Sequence, residues 1–389
     1  MLSTLAEVEI MIYLDNGATS FPKPRGMLQA MHECLSEYCG NPGRSGHKMS
    51  MKTGEEVYKT RKKLGRLFHI DDCGRIVFAS NGTEALNLGI KGVLKSGDHV
   101  ITTAMEHNSV LRPLRALEEA GIETTIIRCA GDGSLNMELL KKEIKDNTKL
   151  IVTTHASNVT GTVMPVKEIG TIARQRNILF MVDAAQSAGS IPIDVTDMKI
   201  DLLALPGHKG LLGPMGTGML YVRENIELKP LKQGGTGTKS RELVQPSEFP
   251  EGYEAGTVNA PGIVGLGYSC DYVESIGIEN IRKYEEELTS MLDDALRNMG
   301  GITVYGPWDC RKKTGIVLFN VKKIGCEEVC DRLSSDYGIA CRGGYHCAGL
   351  AHRTIGTYDT GAVRLSVGPF NTKREINMAI KAIYQIQKV

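Results

Sequence analysis

This chain has almost no net charge, no long apolar run and no closely paired cysteines. Each lack argues against a class of function. Its 46 Lys and Arg stand against 45 Asp and Glu, a formal +1. Composition therefore offers no electrostatic grip on nucleic acid or on an anionic membrane surface. No stretch has the length and apolarity of a membrane-spanning helix. The first twelve residues carry Glu7 and Glu9 and lack a basic start, so they do not read as a secretory leader, and a cytoplasmic protein is expected. The ten cysteines include no C-x-x-C pair, which argues against a zinc ribbon or a thioredoxin-type motif, and no metal site is expected. Without an export signal they are expected to be reduced thiols, most of them small buried hydrophobes. There is no internal repeat and no low-complexity tract.

What is present is ample core material. With 389 residues, 41% of them apolar, the chain can build two domains. Apolar, β-branched runs read as buried strands at 75–79, 99–102, 124–127, 150–154 and 178–182, with a further pair at 202–205 and 218–222. Helical segments fall between some of them, at 84–94, 109–120, 137–144 and 166–176. Continuous apolar strands alternating with helices predict an α/β domain whose mostly parallel sheet is covered on both faces. The pattern changes near residue 260. A long polar helix over 278–299, strands near 315–321 and 362–366 and a helix after Asn371 predict a smaller α+β domain. The expected division is a large domain over 26–259 and a small one from 1–25 and 260–389.

Glycine-rich turns follow several of the strands, where an open parallel sheet binds its ligands. Asn81-Gly82-Thr83 joins a strand to a helix start. Free N–H groups there favour an anion such as phosphate, although many such turns are simple helix caps. Asp183 closes the strand Phe180-Met181-Val182, and a buried carboxylate needs a cationic partner. Lys209 lies downstream in the turn Gly207-His208-Lys209-Gly210. An acid at a buried strand end and a glycine-flanked lysine suit a pyridoxal phosphate site, with the lysine as Schiff base and the acid on the pyridine nitrogen. His107, after another strand, is either a hydrogen-bonded structural residue or a ring stacked on the cofactor. Cys347 sits in Arg342-Gly343-Gly344-Tyr345-His346-Cys347-Ala348, a loop-like segment. Arg342 and His346 flank it and could favour its thiolate, the nucleophilic form.

As an ordered set these motifs resemble the cysteine desulfurases, within the class V aminotransferase branch of fold-type I pyridoxal phosphate enzymes. The resemblance runs from Tyr13-Leu14-Asp15-Asn16-Gly17-Ala18-Thr19 to Val363-Arg364-Leu365-Ser366. It includes Asn41-Pro42-Gly43-Arg44-Ser45-Gly46-His47, Glu106-His107-Asn108, His155-Ala156-Ser157-Asn158, Asp183-Ala184-Ala185-Gln186 and Glu254-Ala255-Gly256-Thr257. The Cys347 segment is most similar to group II, SufS-like members. The resemblance implies that Lys209 carries the cofactor, Asp183 meets its ring nitrogen and Gln186 its ring hydroxyl, with Asn158 close by. It implies that His107 stacks on the ring and that Gly82, Thr83 and His208 meet the phosphate. Thr257 would reach the cofactor phosphate of a second subunit, making a homodimer with shared sites. Arg364 would grip the substrate carboxylate, with Asn16 and Arg342 also at the substrate. Lys209, Cys347 and His107 are the expected catalytic residues, L-cysteine the expected substrate and a sulfur-acceptor protein a possible partner.

Departures from the family pattern are few. Pro206 replaces a usual serine and removes one phosphate donor. Tyr345 replaces a usual histidine, and residues 348–363 depart from group II wording. Alternatives are a selenocysteine lyase or another class V lyase that forms no persulfide. Cys347 argues against the latter. A non-catalytic dimeric binding protein would have no need of Lys209, Asp183, His107 and Arg364 together.

Overall fold

A computed structural model describes residues 11–43 and 45–388. Residues 1–10, most of the N-terminal segment considered above, and Arg44 of the Asn-Pro-Gly-Arg motif lie outside the described residues. The chain opens with β1 (Ile12–Tyr13), α1 (Arg25–Glu33) and α2 (Lys48–Phe68). An alternating series follows: β2 (Ile76–Ala79), α3 (Gly82–Val93), β3 (His99–Thr103), α4 (Asn108–Glu118), β4 (Glu123–Ile127), α5 (Met137–Lys142), β5 (Thr148–Thr154), α6 (Val166–Gln175) and β6 (Leu179–Asp183). Then come β7 (Leu202–Pro206), β8 (Gly218–Val222), α7 (Ala260–Ile276) and α8 (Ile278–Arg297). The chain ends with β9 (Ile302–Tyr305), β10 (Ile316–Val321), α9 (Cys326–Tyr337), β11 (Ile339–Ala340), β12 (Arg342–Gly344), α10 (Gly349–Thr354), β13 (Ala362–Ser366) and α11 (Lys373–Ile386).

The large sheet has the order β2-β8-β7-β6-β5-β3-β4. Pairing is parallel from β7 through to β4, and β8 is antiparallel to both of its neighbours. Strand β2 therefore points the same way as β7, so the carboxyl ends of β2, β3, β5, β6 and β7 share one edge. Side-chain alternation loads both faces with apolar groups. Ile101, Ile151, Phe180, Val182, Leu203 and Leu205 pack with Leu64 and Phe68 of α2 and Ile169 of α6. Val100, Leu150, Val152, Met181, Leu202 and Ala204 pack with Leu86 and Ile90 of α3 and Leu114 of α4. A sheet buried on both sides needs this near-continuous apolar reading, which is why its strands stand out in the sequence.

The small domain carries the antiparallel sheet β12-β13-β10-β9. Its core joins Leu288, Leu292 and Leu296 of α8 to Val329 and Leu333 of α9 and Ile376 and Ile383 of α11. Helix α7, placed on sequence with the small domain, packs instead in the large-domain core through Ile263, Leu266 and Cys270. Its glycines are the reason. A Cβ on Gly267 would lie 2.3 Å from Thr60 Oγ1, and one on Gly265 would lie 2.7 Å from Met31 Cγ. Only glycine lets α7 come this close to α1 and α2.

Candidate active site

The carboxyl ends of β2, β3, β5, β6 and β7, five of the six co-directional strands, converge on a cavity of about 100 Å³. Gly82 and Thr83 line it from the turn after β2, and His107 and Ser109 from the turn after β3. Asn158 comes from beyond β5, Asp183 and Gln186 from the end of β6, and Pro206, His208 and Lys209 from the end of β7. Every residue assigned on sequence to the cofactor lies here except Thr257. Thr257 is exposed, accepts a 3.4 Å hydrogen bond from Asn41 Nδ2 and does not line this cavity.

Asp183 is buried and accepts a 2.9 Å bond from the Ala185 N–H. Burial raises its pKa, opposed by that bond and by the charge on Lys209. Burial likewise pushes the Lys209 amine down to about 8, with Asp183 pulling it back up and Arg364 and Arg342 lowering it further. Lys209 keeps some exposed surface, and the residue lines cavities on two sides. Its amine is packed round by protein, and that packing governs the titration. Behind Asp183, Glu106 is fully buried. It accepts bonds from Thr103 Oγ1 at 2.6 Å and the Thr154 N–H at 3.0 Å. Burial raises Glu106 to about 8, so at neutral pH it is mostly the neutral acid.

His107 caps α4: its Nδ1 accepts from the Ser109 N–H at 3.0 Å. Burial, then the positive charges of Lys209, Arg342, Arg112 and Arg364, lower it to about 4. The ring is therefore neutral, with its proton on Nε2. Ser109 Oγ lies 2.9 Å from His107 Nδ1 and 2.8 Å from Thr83 Oγ1. Ser109 was not singled out on sequence. It places a hydroxyl in the cavity where Pro206 has none. A Cβ on Gly82 would stand 3.1 Å from Pro206 Cδ, so any larger residue would press this turn against the proline. As first-turn residues of α3, Gly82 and Thr83 have N–H groups without intrahelical partners. His208 is held by its carbonyl, which accepts from Ser20 N at 3.0 Å and Lys23 Nζ at 2.8 Å. Its buried Nδ1 has no partner. Burial and the nearby Lys209 and Lys23 lower it to about 4. Free N–H groups, two hydroxyls and an unpaired imidazole nitrogen at one end, with a buried carboxylate and an amine at the other, fit a phosphorylated heteroaromatic aldehyde.

Arg364 is 1% exposed. Its Nη2 donates to Asp15 Oδ1 at 2.8 Å and its Nη1 to the Asn158 carbonyl at 2.9 Å. Its Nε is buried and unpartnered. Asn158 in turn donates from Nδ2 to the His346 carbonyl at 2.6 Å. Gln186 donates to the Gly17 carbonyl at 2.9 Å. Asn16 lines the second cavity beside Lys209. Its amide is committed to Ser366 O at 3.0 Å and Asn371 Oδ1 at 3.1 Å.

Cys347 is exposed, and Arg342 Nη2 lies 3.7 Å from its sulfur. His346 does not supply the second positive charge expected for it on sequence. It is buried, and burial lowers it to about 3. Cys341 is partly buried and packs against the small-domain core. An open groove of about 420 Å³ adjoins the cavity. Thr83, His107 and Ser109 belong to both, and Lys91, Arg112 and Cys347 line the groove.

The pocket at the carboxyl edge of the parallel sheet is built round Lys209 and Asp183. The chain belongs to the aminotransferase class-V family, whose model matches residues 12–378. Cysteine desulfurases are among the relatives it resembles. It is 35% identical over 382 residues to a probable cysteine desulfurase of Methanothermobacter thermautotrophicus, covering 96% of this chain and 94% of that one. It is 32% identical to a cysteine desulfurase of Escherichia coli, covering 97% and 93%. Its fold superposes with a TM-score of 0.92 on the apo structure of a cysteine desulfurase from Thermococcus onnurineus NA1. That protein is 33% identical, with 97% of this chain and 95% of that one covered.

Proposed function

We propose that this chain is a pyridoxal-phosphate-dependent cysteine desulfurase. It converts L-cysteine to L-alanine and keeps the sulfur as a persulfide on Cys347. One observation carries the reading: a buried amine, a buried carboxylate and an exposed thiol beside a guanidinium stand at adjoining cavities. Asp183 would hold the ring nitrogen of the cofactor. Gly82, Thr83, Ser109 and His208 would hold its phosphate. His107 would lie against the ring, with Gln186 and Asn158 at the ring hydroxyl. When bound, pyridoxal phosphate supplies an electron sink that lets the substrate Cα give up a proton.

The residues do the rest. Arg364 orients the substrate carboxylate through a fixed fork of donors. Lys209, with its amine lowered to about 8, is neutral often enough at neutral pH to accept the Cα proton and return it. Cys347 as thiolate attacks the substrate sulfur. The substrate Cβ–S bond breaks and a bond from Cys347 Sγ to that sulfur forms. Cβ gains a proton, so cysteine and one thiol become alanine and one persulfide. Arg342, 3.7 Å from the sulfur, offers that thiolate a charge-assisted hydrogen bond.

The groove beside Cys347 is the route for a sulfur acceptor. Lys91 and Arg112 on its walls have no carboxylate partner among the described residues. Two features support a homodimer. Thr257 is exposed and outside its own chain's cavity. Leu28, Leu35, Met51 and Tyr58 stand exposed on α1, the turn after it and α2.

Incubation with L-cysteine followed by mass spectrometry tests the function. One sulfur atom is expected on the Cys347 peptide. Cys347→Ser is expected to bind the cofactor and stop alanine release. Undiminished alanine release by that variant would refute the thiol's role.

A further inference from the structure

We propose that His352 is a positioning residue for Cys347, acting through His346 to hold the sulfur in its turn beside Arg342. The proposal rests on the desulfurase reading of Cys347. Its starting point is the backbone. His346 and Cys347 have φ of 52° and 56°, two successive left-handed residues, neither of them glycine. Such a conformation persists only where its surroundings over-determine it. The carbonyls of the turn are caught from outside, that of His346 by Asn158 Nδ2 at 2.6 Å and that of Cys347 by the Asn108 N–H at 2.8 Å.

The side chain of His346 is held by a chain of bonds whose direction is fully determined. His346 Nε2 lies 3.2 Å from the Arg342 carbonyl, which can only accept, so Nε2 carries the proton. His346 Nδ1 is then an acceptor, and it lies 3.2 Å from His352 Nε2, which must donate. His352 Nδ1 accepts in turn from Thr357 Oγ1 at 2.7 Å. His346, His352 and Thr357 are buried, and burial lowers His346 to about 3 and His352 to about 4. Both rings stay neutral at working pH, so the direction of the chain does not reverse. The rings stack at 5.4 Å with planes 15° apart. Tyr345 closes the outer side, edge-on to His352 at 5.6 Å. This gives a place to a tyrosine that the sequence left unexplained. One end of the chain is the carbonyl of Arg342, whose guanidinium faces the sulfur. The residue after His346 is Cys347 itself.

The test separates positioning from folding. Thr357→Val removes the terminal donor and keeps the shape, Thr357→Ser restores the donor, and His352→Phe removes both nitrogens. Two readouts apply. In cofactor-free protein, iodoacetamide labelling of Cys347 at pH 7.5 is followed by mass spectrometry, with exposed Cys39 as internal reference. In loaded enzyme, kcat and KM for L-cysteine are measured. We expect Thr357→Val and His352→Phe to lower kcat at least tenfold with KM within twofold. Cys347 labelling should slow at least threefold relative to Cys39, and Thr357→Ser should behave as the parent. Should His352→Phe fail to fold, the two threonine variants decide. Folded variants with parental kcat and parental labelling overturn the proposal. The labelling readout needs no desulfurase activity, so failure of the desulfurase reading and failure of the positioning role are distinguishable.

Discussion

The most exacting test of the site is the titration of one amine in cofactor-free protein. A solvated lysine titrates near 10.5, whereas burial brings Lys209 to about 8. The difference is worth about 3 kcal/mol and makes the neutral amine roughly 300-fold more abundant at pH 7. Competitive acetylation across pH 6–11, read by mass spectrometry, should give Lys209 a midpoint near 8 and surface lysines midpoints above 10. The sign of the neighbours is also fixed. Asp183 raises the Lys209 value and Arg342 lowers it, so Asp183→Asn should move the midpoint down and Arg342→Met should move it up. A group depressed in the fold is also linked to stability. Between about 8 and 10.5 the unfolded chain keeps the proton that the folded chain has lost. Cofactor-free protein therefore gains stability as pH rises through that window, and the full penalty stands below it. A Lys209 midpoint near 10.5, or an upward shift in Asp183→Asn, would refute the reasoning.

Three further outcomes are expected. Lys313→Met should destabilise the protein by about 3 kcal/mol in urea unfolding. The Lys313 amine lies 2.6 Å from Asp293 with both side chains fully buried, and Arg297 would be left as the carboxylate's remaining cation. A loss under 1 kcal/mol would mean that the cluster relaxes freely. Arg364→Lys should raise KM for L-cysteine by about ten- to a hundredfold, because a single ammonium replaces a fork of donors to an ionised group. An unchanged KM would remove Arg364 from the substrate. Sedimentation should find the active protein as a dimer, and Thr257→Ala should weaken cofactor retention. An active monomer would end the shared-site reading.

How much was readable beforehand follows from physics. The strands announced themselves because a sheet buried on both faces tolerates little but apolar residues, as in Ile178-Leu179-Phe180-Met181-Val182. Helix α2 gave no such signal. Between Val57, Leu64 and Phe68 its buried face also uses Ser50, Thr53, Thr60 and Arg61, so the apolar stripe is broken. Helix α7 was unreadable for another reason: Gly262, Gly265 and Gly267 lower helix propensity, and their value lies in helix contacts that no linear pattern displays. Gly82, His107, Asp183 and Lys209 drew notice because each lies at or just after a strand, whereas Asn158, Gln186, His208 and Thr257 were named only through the family resemblance. Ser109, His352 and the pairing of Asp15 with Arg364 were not legible, since their partners are fixed by the fold. His346 was misjudged for the same reason: adjacency to Cys347 suggested a charge that burial forbids.

Arg364 was introduced as a clamp, yet it arrives already balanced by Asp15 and already fastened to Asn158. An incoming amino acid meets a guanidinium whose Nη1 and Nη2 have each spent one hydrogen, leaving Nε and the second hydrogen of each Nη to donate. Asp15 and Asn158 fix the plane of that fork in advance, so little orientational freedom is left to lose when a carboxylate docks. The same guanidinium ties strand β13 to the segment after β1 and to the loop after β5. Loosening the socket to admit or expel a guest therefore tugs on both halves of the molecule at once.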